Sequence, residues 1–199
     1  NILEVRAVAG DNFLGGEDFT EVLYQLFLKR RGLEEETLSL KTRLYLKKQA
    51  ELCKLGFSEE RSSVMRCVMD GEEWEETFKI SEYEEACAPL FEKIRKPVKR
   101  SLSDAGIRLS QIDEVVLVGG ATKLPIVRQF ISRLFRRVPD THINPDEAVA
   151  LGAAIQAAMK DRNDAIREVI LTDVCSFTLG TEVAVKERIS GQYESCLLY

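Results

Sequence analysis

Two adjacent glycines follow a short aliphatic run in the second half of the sequence, where they suit a turn that binds a ligand. Residues 115–118 read Val-Val-Leu-Val and lead into Gly119 and Gly120. Four aliphatic residues before a glycine turn predict a strand buried on both faces, as in the centre of an α/β sheet. Glycine accepts positive φ values and has no Cβ, so a ligand can approach its backbone closely. A plain tight turn remains the alternative, because the turn matches neither the P-loop nor the dinucleotide fingerprint.

Three polar residues at helical spacing form a second candidate surface. Glu51, Lys54 and Ser58 stand at positions i, i+3 and i+7, which places them on one face of a helix. An exposed ion pair with a nearby serine is the structural interpretation of this pattern. The residues alone favour that interpretation over a binding function.

A carboxylate opens the third informative segment, "THINPDEAVALGAAIQAAMK". Asn144 can cap a helix, Pro145 suits its first position and Glu147 can complete a capping box. Asp146 is then expected in the first helical turn, where it complements the helix dipole and can accept hydrogen bonds near a ligand. The helix continues with small residues that predict close packing against another backbone: Gly152, Ala153, Ala154, Ala157 and Ala158.

The elements that must position these residues alternate between strands and helices. A strand is predicted in the segment "ILEVRAV", and apolar spacing predicts helices over 18–31, 38–55 and 125–135. The Asp-Gly pair at 70–71 predicts a β-hairpin turn within 62–80, the strongest short-range signal of the chain.

Two further helical signals follow the hairpin. Ser81 and Glu84 are spaced as a capping box, which predicts a helix start. Pro97 is expected to end or kink that helix and to leave two helical pieces before residue 115.

Composition limits the classes of function. The chain has 199 residues, of which 45% are hydrophobic and 31% charged, enough for one or two compact units. A net charge of −5 argues against general nucleic-acid binding. No apolar run suits a membrane span, and the first residues do not resemble a signal peptide.

His142 is expected on the surface. The five cysteines lack any CxxC spacing and are interpreted as reduced thiols of a cytosolic protein, with no metal site: Cys53, Cys67, Cys87, Cys175 and Cys196.

Three segments together resemble a known family. "AGDNFLGGEDF", "DEVVLVGGATKLPIV" and "INPDEAVALGAAIQAA" are similar, in order and spacing, to signature segments of the seventy-kilodalton heat-shock chaperones of the DnaK type. Details such as "AGDNFLGGEDFT" and "EVILTDVCSFTLG" resemble most closely the bacterial branch called HscC. The resemblance implies an α/β fold, the second lobe of an actin-like ATPase domain, in which a ribonuclease-H-like subdomain carries an inserted α+β subdomain.

The resemblance also implies how the chain is divided. Residues 1–164 correspond to the second lobe, with 15–87 as the inserted subdomain and 1–14 plus 88–164 as the ribonuclease-H-like part. Residues 165–174 resemble the interdomain linker, and 175–199 resemble the first strand region of a substrate-binding domain. With the remainder of that domain missing, the tail is expected to be ordered only by contact with its own lobe or with a second copy.

The family's nucleotide contacts imply ATP or ADP as the ligand, with Mg²⁺ in a complete domain held by residues that precede this sequence. No catalytic residue is therefore assigned, and the chain alone is expected to be inactive in ATP hydrolysis. The family has arginine where this sequence has Lys123, a point charge in place of a planar guanidinium. Leu55 replaces a second family cation. The implied nucleotide-binding residues are Gly119, Gly120, Ala121, Lys123, Glu51, Lys54, Ser58 and Asp146.

The implied function is that of a piece of an ATP-dependent molecular chaperone of the heat-shock and stress response. A J-domain co-chaperone, a nucleotide exchange factor and client peptides are the implied partners. Homo-oligomers driven by truncation are a further expectation, whereas nucleic acid and membrane are not expected partners. Two alternatives stay open, an actin-like filament or scaffold protein and a carbohydrate kinase of the same superfamily. The linker-like segment argues against the first, and the lack of a visible sugar-binding pattern argues against the second.

Overall fold

The protein has a mixed α/β fold built from short strands and amphipathic helices. The computed structural model describes residues 2–69, 71–140, 142–161, 170–175, 181–186 and 193–198. Within this part the elements are β1 (Ile2–Glu4), α1 (Gly16–Arg31), α2 (Leu40–Gly56), β2 (Ser62–Met69), β3 (Glu72–Lys79), α3 (Ile80–Ala86), α4 (Ala88–Asp104), α5 (Pro125–Phe135), α6 (Ala148–Lys160), β4 (Ile170–Thr172), β5 (Thr181–Lys186) and β6 (Tyr193–Leu198). Short 3-10 turns occupy Glu35–Thr37, Leu109–Gln111 and Gly120–Lys123. No helix of this part is both long enough and apolar enough to cross a bilayer.

The densest part of the core lies where α1 and α2 pack on each other and α2 packs on the hairpin of β2 and β3. Phe27, Leu46 and Met65, one from each of α1, α2 and β2, are completely buried. The buried Tyr83 hydroxyl donates a hydrogen bond of 2.8 Å to the Phe19 carbonyl and so ties α3 to α1. The predicted helices over 18–31, 38–55 and 125–135 are confirmed as α1, α2 and α5 within two residues at each end.

The predicted hairpin is confirmed in register and in its turn. β2 and β3 pair antiparallel, and Met69 opposite Glu72 leaves a two-residue connection. Gly71 has a φ of 83°, the left-handed region that a tight hairpin turn requires and that glycine adopts without strain. Asp70 itself lies outside the described residues.

Two helix-boundary predictions were wrong. α4 runs through Pro97 without ending, and the division into two helical pieces falls at Cys87, between α3 and α4. Proline removes one helical hydrogen bond, but tertiary packing holds the helix, because the buried Phe91 of α4 stacks on Phe130 of α5 with ring centroids 4.8 Å apart. The capping box at Ser81 does not form, since α3 already begins at Ile80 and has Lys79 as its N-cap, without a side-chain cap.

The aliphatic run before the glycine turn is buried on one face only. Val115 and Leu117 pack against the core, whereas Val116 and Val118 are 46% and 45% exposed. Among the described residues its ladder pairing is a single parallel bridge between Val116 and Asp140. The prediction of a strand covered on both faces was therefore wrong, because no second layer covers the outer face within the part of the chain that the structure describes.

The prediction of close packing for the small-residue helix was also wrong. α6 has no buried residue. Its Val149 is 72% exposed and its Leu151 52% exposed. The helix does not pack closely on another backbone within the described part of the chain, so its small residues are not explained by such packing.

Part of the tail is paired within the chain. Ile170–Thr172 forms a parallel ladder with Ile2–Glu4, and the Val5 amide continues it by donating to the Thr172 carbonyl at 2.8 Å. Residues 170–172, within the linker-like segment, thus pair with the start of the chain. The strand-like segment after it also has a partner, because β5 pairs antiparallel with β6.

Candidate functional site

A cavity of about 400 Å³ lies where four segments meet: the first turn of α1, the end of α2, the glycine turn and the turn before α6. Its volume falls in the usual range for small-molecule sites. Seven of the eight predicted binding residues line it: Glu51, Lys54, Ser58, Gly120, Ala121, Lys123 and Asp146. The two walls predicted from separate segments therefore face one cavity.

The glycine turn is fixed by backbone hydrogen bonds rather than by side-chain packing. Gly119 has a φ of 91°, where any side chain would strain the backbone. Its amide donates to the Pro145 carbonyl at 2.8 Å, and its carbonyl accepts a hydrogen bond of 2.7 Å from the Thr122 hydroxyl. Gly119 does not line the cavity itself. It sets the direction in which Gly120 and Ala121 present their backbone to the cavity.

Lys54 is the best-anchored charged residue of the cavity. Its side chain is buried, with the whole residue only 7% exposed. The ammonium donates to the Thr20 hydroxyl at 2.7 Å and to the Gly16 carbonyl at 3.0 Å. The interpretation of Lys54 as one half of an exposed ion pair with Glu51 was therefore wrong. An ammonium has three donors, so one N–H remains for a ligand in the cavity.

The other two residues of this wall lie at its rim. Glu51 is exposed on the last turns of α2. The helix ends at Gly56, so Ser58 lies in the following turn, where its amide donates to the Leu55 carbonyl at 3.0 Å. The prediction of one helical face was right for Glu51 and Lys54 and wrong for Ser58, although the turn still directs Ser58 to the cavity.

An ion pair between Lys123 and Asp146 spans the opposite wall. Their side chains are 44% and 49% exposed, so the pair is solvated and contributes little to stability. Asp146 does not lie in the first turn of the helix as predicted, because α6 begins at Ala148. Instead the Asn144 side-chain carbonyl accepts a hydrogen bond of 3.1 Å from the Asp146 amide, which holds the turn before the helix.

Sequence reasoning missed the contribution of α1. Gly16 and Glu17, in its first turn, line the cavity, as do Leu55 and Leu124. A Cβ on Gly16 would lie 3.6 Å from the Ala121 Cβ and 3.7 Å from the Lys54 ammonium, so the first turn of α1 lies close to both walls of the cavity. The available signal was the glycine pair of "FLGGEDF", which parallels the pair at 119–120.

The remaining titratable candidates lie away from the cavity. His142 is exposed and its ring contacts Asp140, which confirms the expected surface position. Burial raises the pKa of Cys87 to about 12 and also raises the pKa of Cys53. Buried neutral thiols of this kind are chemically inert. The described residues contain no group of three side chains placed to hold a metal ion.

Comparison with known proteins assigns the chain to a class. Residues 1–193 match the family model described as "Hsp70 protein". The chain belongs to this family, and membership implies the actin-like ATPase fold, with which the mixed α/β architecture agrees.

Individual relatives agree with this assignment. The chain is 36% identical over 193 residues to "Chaperone protein DnaK" of Deinococcus deserti, which covers 92% of this chain and 31% of the relative. It is 38% identical over 191 residues to "Chaperone protein dnaK3" of Synechocystis sp., which covers 91% of this chain and 24% of the relative. The chain thus spans between a quarter and a third of the length of these relatives.

Proposed function

We propose that the cavity binds the adenosine part of ATP or ADP, as one half of the nucleotide site of an Hsp70-type chaperone. One observation carries the proposal. Seven residues predicted from three separate segments to contact a nucleotide line a single cavity of ligand size. A structural role alone does not require Glu51, Ser58 and Lys123 to face the same space.

The side chains of the cavity suit a nucleoside. Glu51 is exposed at the rim and offers a carboxylate to the ribose hydroxyls, which are good donors to a charged acceptor. Lys54 offers its remaining N–H to an acceptor on the ribose or the base. Gly120 lines the cavity without a Cβ, so a ligand can approach its backbone closely.

In this proposal Lys123 does not act as a planar stacking group, as an arginine guanidinium would. Its ammonium is paired with Asp146 at the opposite wall, so it closes the cavity as a point charge. Because the pair is about half exposed, a ligand can displace it at small cost. The phosphates and Mg²⁺ would lie beyond this cavity, on residues outside the proposed adenosine wall.

Saturation-transfer difference NMR of the 199-residue chain tests the proposal with adenosine, ADP and ATP as ligands. We expect saturation of the adenine and ribose protons by all three, with affinities that differ little, because the cavity contacts the nucleoside. Binding is expected to be weak and independent of Mg²⁺. Affinity that required the γ-phosphate or Mg²⁺ would show that the phosphate site had been misplaced. The lack of any saturation transfer to adenosine would refute the proposal.

A pair of matched variants then locates the ribose. Glu51→Gln keeps the shape of the side chain and removes its charge, and we expect adenosine to bind about tenfold more weakly, the loss of one charge-assisted hydrogen bond. Glu60→Gln is the control, since Glu60 is exposed near the same turn but does not line the cavity. Equal effects of the two substitutions would show that Glu51 does not contact the ribose.

The finer assignments are part of the same proposal. The motifs "AGDNFLGGEDFT" and "EVILTDVCSFTLG" support the HscC branch, and the unit of 15–87 is proposed as the inserted subdomain. A J-domain co-chaperone, a nucleotide exchange factor and client peptides are proposed partners of the longer chaperone. The three buried thiols Cys53, Cys67 and Cys87 support a reducing, cytosolic location.

A further inference from the structure

A second cavity lies at the other end of α5 from the candidate nucleotide site. It measures about 970 Å³ and is formed by α4, the turn at Leu109–Gln111, the end of α5 and the residues that follow it. Leu124, the N-cap of α5, lines the first cavity, whereas Phe130 and the residues near the end of the helix line the second. The larger cavity therefore has no part in the proposed adenosine site and needs its own explanation.

The floor of this cavity is aromatic. Phe91 of α4 and Phe130 of α5 are stacked with an interplanar angle of 19°, and their exposed fractions are 7% and 6%. Leu109 reaches the same cavity from the turn after α4 and is 39% exposed. An apolar side chain entering the cavity would exclude water from Leu109 and from the small exposed part of the two rings, and the burial of this apolar surface favours binding.

The walls are basic, although two of their arginines already have glutamate partners: Arg95 with Glu92 and Arg133 with Glu84. Four arginines and one glutamate line the cavity, although the chain as a whole has a net charge of −5. The arginines are Arg95, Arg133, Arg136 and Arg137. Arginine is the residue that best recognises carboxylates in a bidentate geometry, so the chemistry of the walls selects an acidic ligand.

Two of these arginines have unused hydrogen-bonding capacity. Arg95 lies over the Phe130 ring, and its Nε is buried without a hydrogen-bond partner, since the nearest Glu92 oxygen lies 3.4 Å away in poor geometry. A buried unsatisfied donor is uncommon. Arg136 makes no hydrogen bond or ion pair within the described residues, and it has a φ of 53° at the end of α5. An arginine at this position carries a strain that glycine would not.

We propose that this cavity docks an acidic peptide segment of a partner protein, with one aromatic or aliphatic side chain seated on Phe91 and Phe130. Carboxylates on either side of that anchor would pair with Arg95, Arg136 and Arg137. The combination of an apolar floor and basic walls favours a peptide over a nucleic acid, because a phosphate backbone needs an extended basic track and this chain is acidic overall. The proposal is independent of the adenosine site.

Isothermal titration calorimetry with the peptide acetyl-Asp-Glu-Phe-Glu-Asp-amide tests the proposal on the 199-residue chain. We expect binding that weakens as salt rises, and none by acetyl-Lys-Lys-Phe-Lys-Lys-amide. Arg136→Gly is the decisive variant, because it removes the guanidinium and relieves the positive-φ strain together. We expect its thermal stability to be equal or higher and its peptide affinity to fall about tenfold.

Arg100→Ala is the matched control. Arg100 lies on α4, outside the cavity, and its ion pair with Asp104 is well exposed. Its loss changes the net charge as much as Arg136→Gly does, so affinity is expected to stay the same. Absence of binding, or binding that Arg136→Gly leaves unchanged, would overturn the proposal. Tighter binding of a single-stranded oligonucleotide that depends on Arg136 would also overturn it and assign the cavity to nucleic acid.

Discussion

Replacing Lys54 by methionine tests whether its ammonium joins α1 and α2 at the candidate site. Methionine has a similar length and no charge, so the substitution removes the ammonium and keeps most of the packing. The ammonium donates to Thr20 Oγ1 and to the Gly16 carbonyl, and so holds the end of α2 against the start of α1. Lys54→Met is therefore expected to destabilise the fold as well as to change the cavity.

The expected loss of stability follows from three opposing contributions. Each hydrogen bond from a charged donor contributes roughly 1.5–3 kcal/mol. Two such bonds are lost, but the Thr20 hydroxyl keeps its own hydrogen bond of 3.3 Å to the Gly16 carbonyl, so that pair stays partly satisfied. Removing a buried charge also recovers its desolvation cost. The net loss is expected at about 1–3 kcal/mol, or about 2–4 °C of Tm for each kcal/mol in a chain of this size.

Urea unfolding followed by tryptophan fluorescence measures this loss. Trp74 is the single tryptophan of the sequence, and its ring lies 6.5 Å from Phe27 of α1, so its emission reports on the packing of α1 against the hairpin. Lys48→Met is the control, because Lys48 is exposed on the same helix. If both variants unfolded at the same urea concentration, the anchoring role of Lys54 would be refuted.

Four further predictions concern the ion pairs, the cysteines and the expected inactivity of the chain. Arg30→Ala is expected to cost about 1–3 kcal/mol in urea unfolding, whereas exposed Arg100→Ala costs little, because Arg30 contacts both oxygens of Glu82 and lies 4.4 Å from the centre of the Phe78 ring. Burial raises the Cys87 pKa to about 12 from an ordinary value of 9.0, so the thiolate favours unfolding and stability should fall as pH rises from 9 towards 12. At pH 8, iodoacetamide should modify exposed Cys175 before Cys87, as mass spectrometry of the peptides would show. A malachite green assay should detect no ATP hydrolysis by the purified chain, and turnover proportional to protein concentration would contradict that expectation.

Local sequence patterns predicted the hairpin and three of the helices correctly. The Asp-Gly pair fixed the turn of the hairpin, and apolar spacing located α1, α2 and α5, because each of these helices buries one face against the core. Pro97 was misread since the stacking of Phe91 on Phe130 outweighs one lost backbone hydrogen bond. The burial of the aliphatic run before Gly119 was also misread, because burial depends on which layers cover a strand and the residues of the strand do not encode that.

The residues that line the site were predicted from the sequence, but the hydrogen-bond and ion-pair partners of its lysines were not. Spacing and resemblance named the residues of both walls, and seven of them share the cavity. The partners of the two lysines were not predictable, since they come from other segments: Gly16 and Thr20 for Lys54, and Asp146 for Lys123. Contacts across such sequence separations depend on tertiary geometry that no local pattern carries.

The two walls of the cavity are held internally by different means. On one wall, Lys54 fixes the end of α2 to α1 through two hydrogen bonds, to the Thr20 hydroxyl and the Gly16 carbonyl. On the other, the Gly119 amide fixes the glycine turn to Pro145. Across the cavity, a Cβ added to Gly16 would lie 3.6 Å from the Ala121 Cβ, an ordinary van der Waals distance. Each wall is thus held by its own hydrogen bonds, so a nucleoside that contacts both Glu51 and Gly120 would add hydrogen bonds that join the two walls.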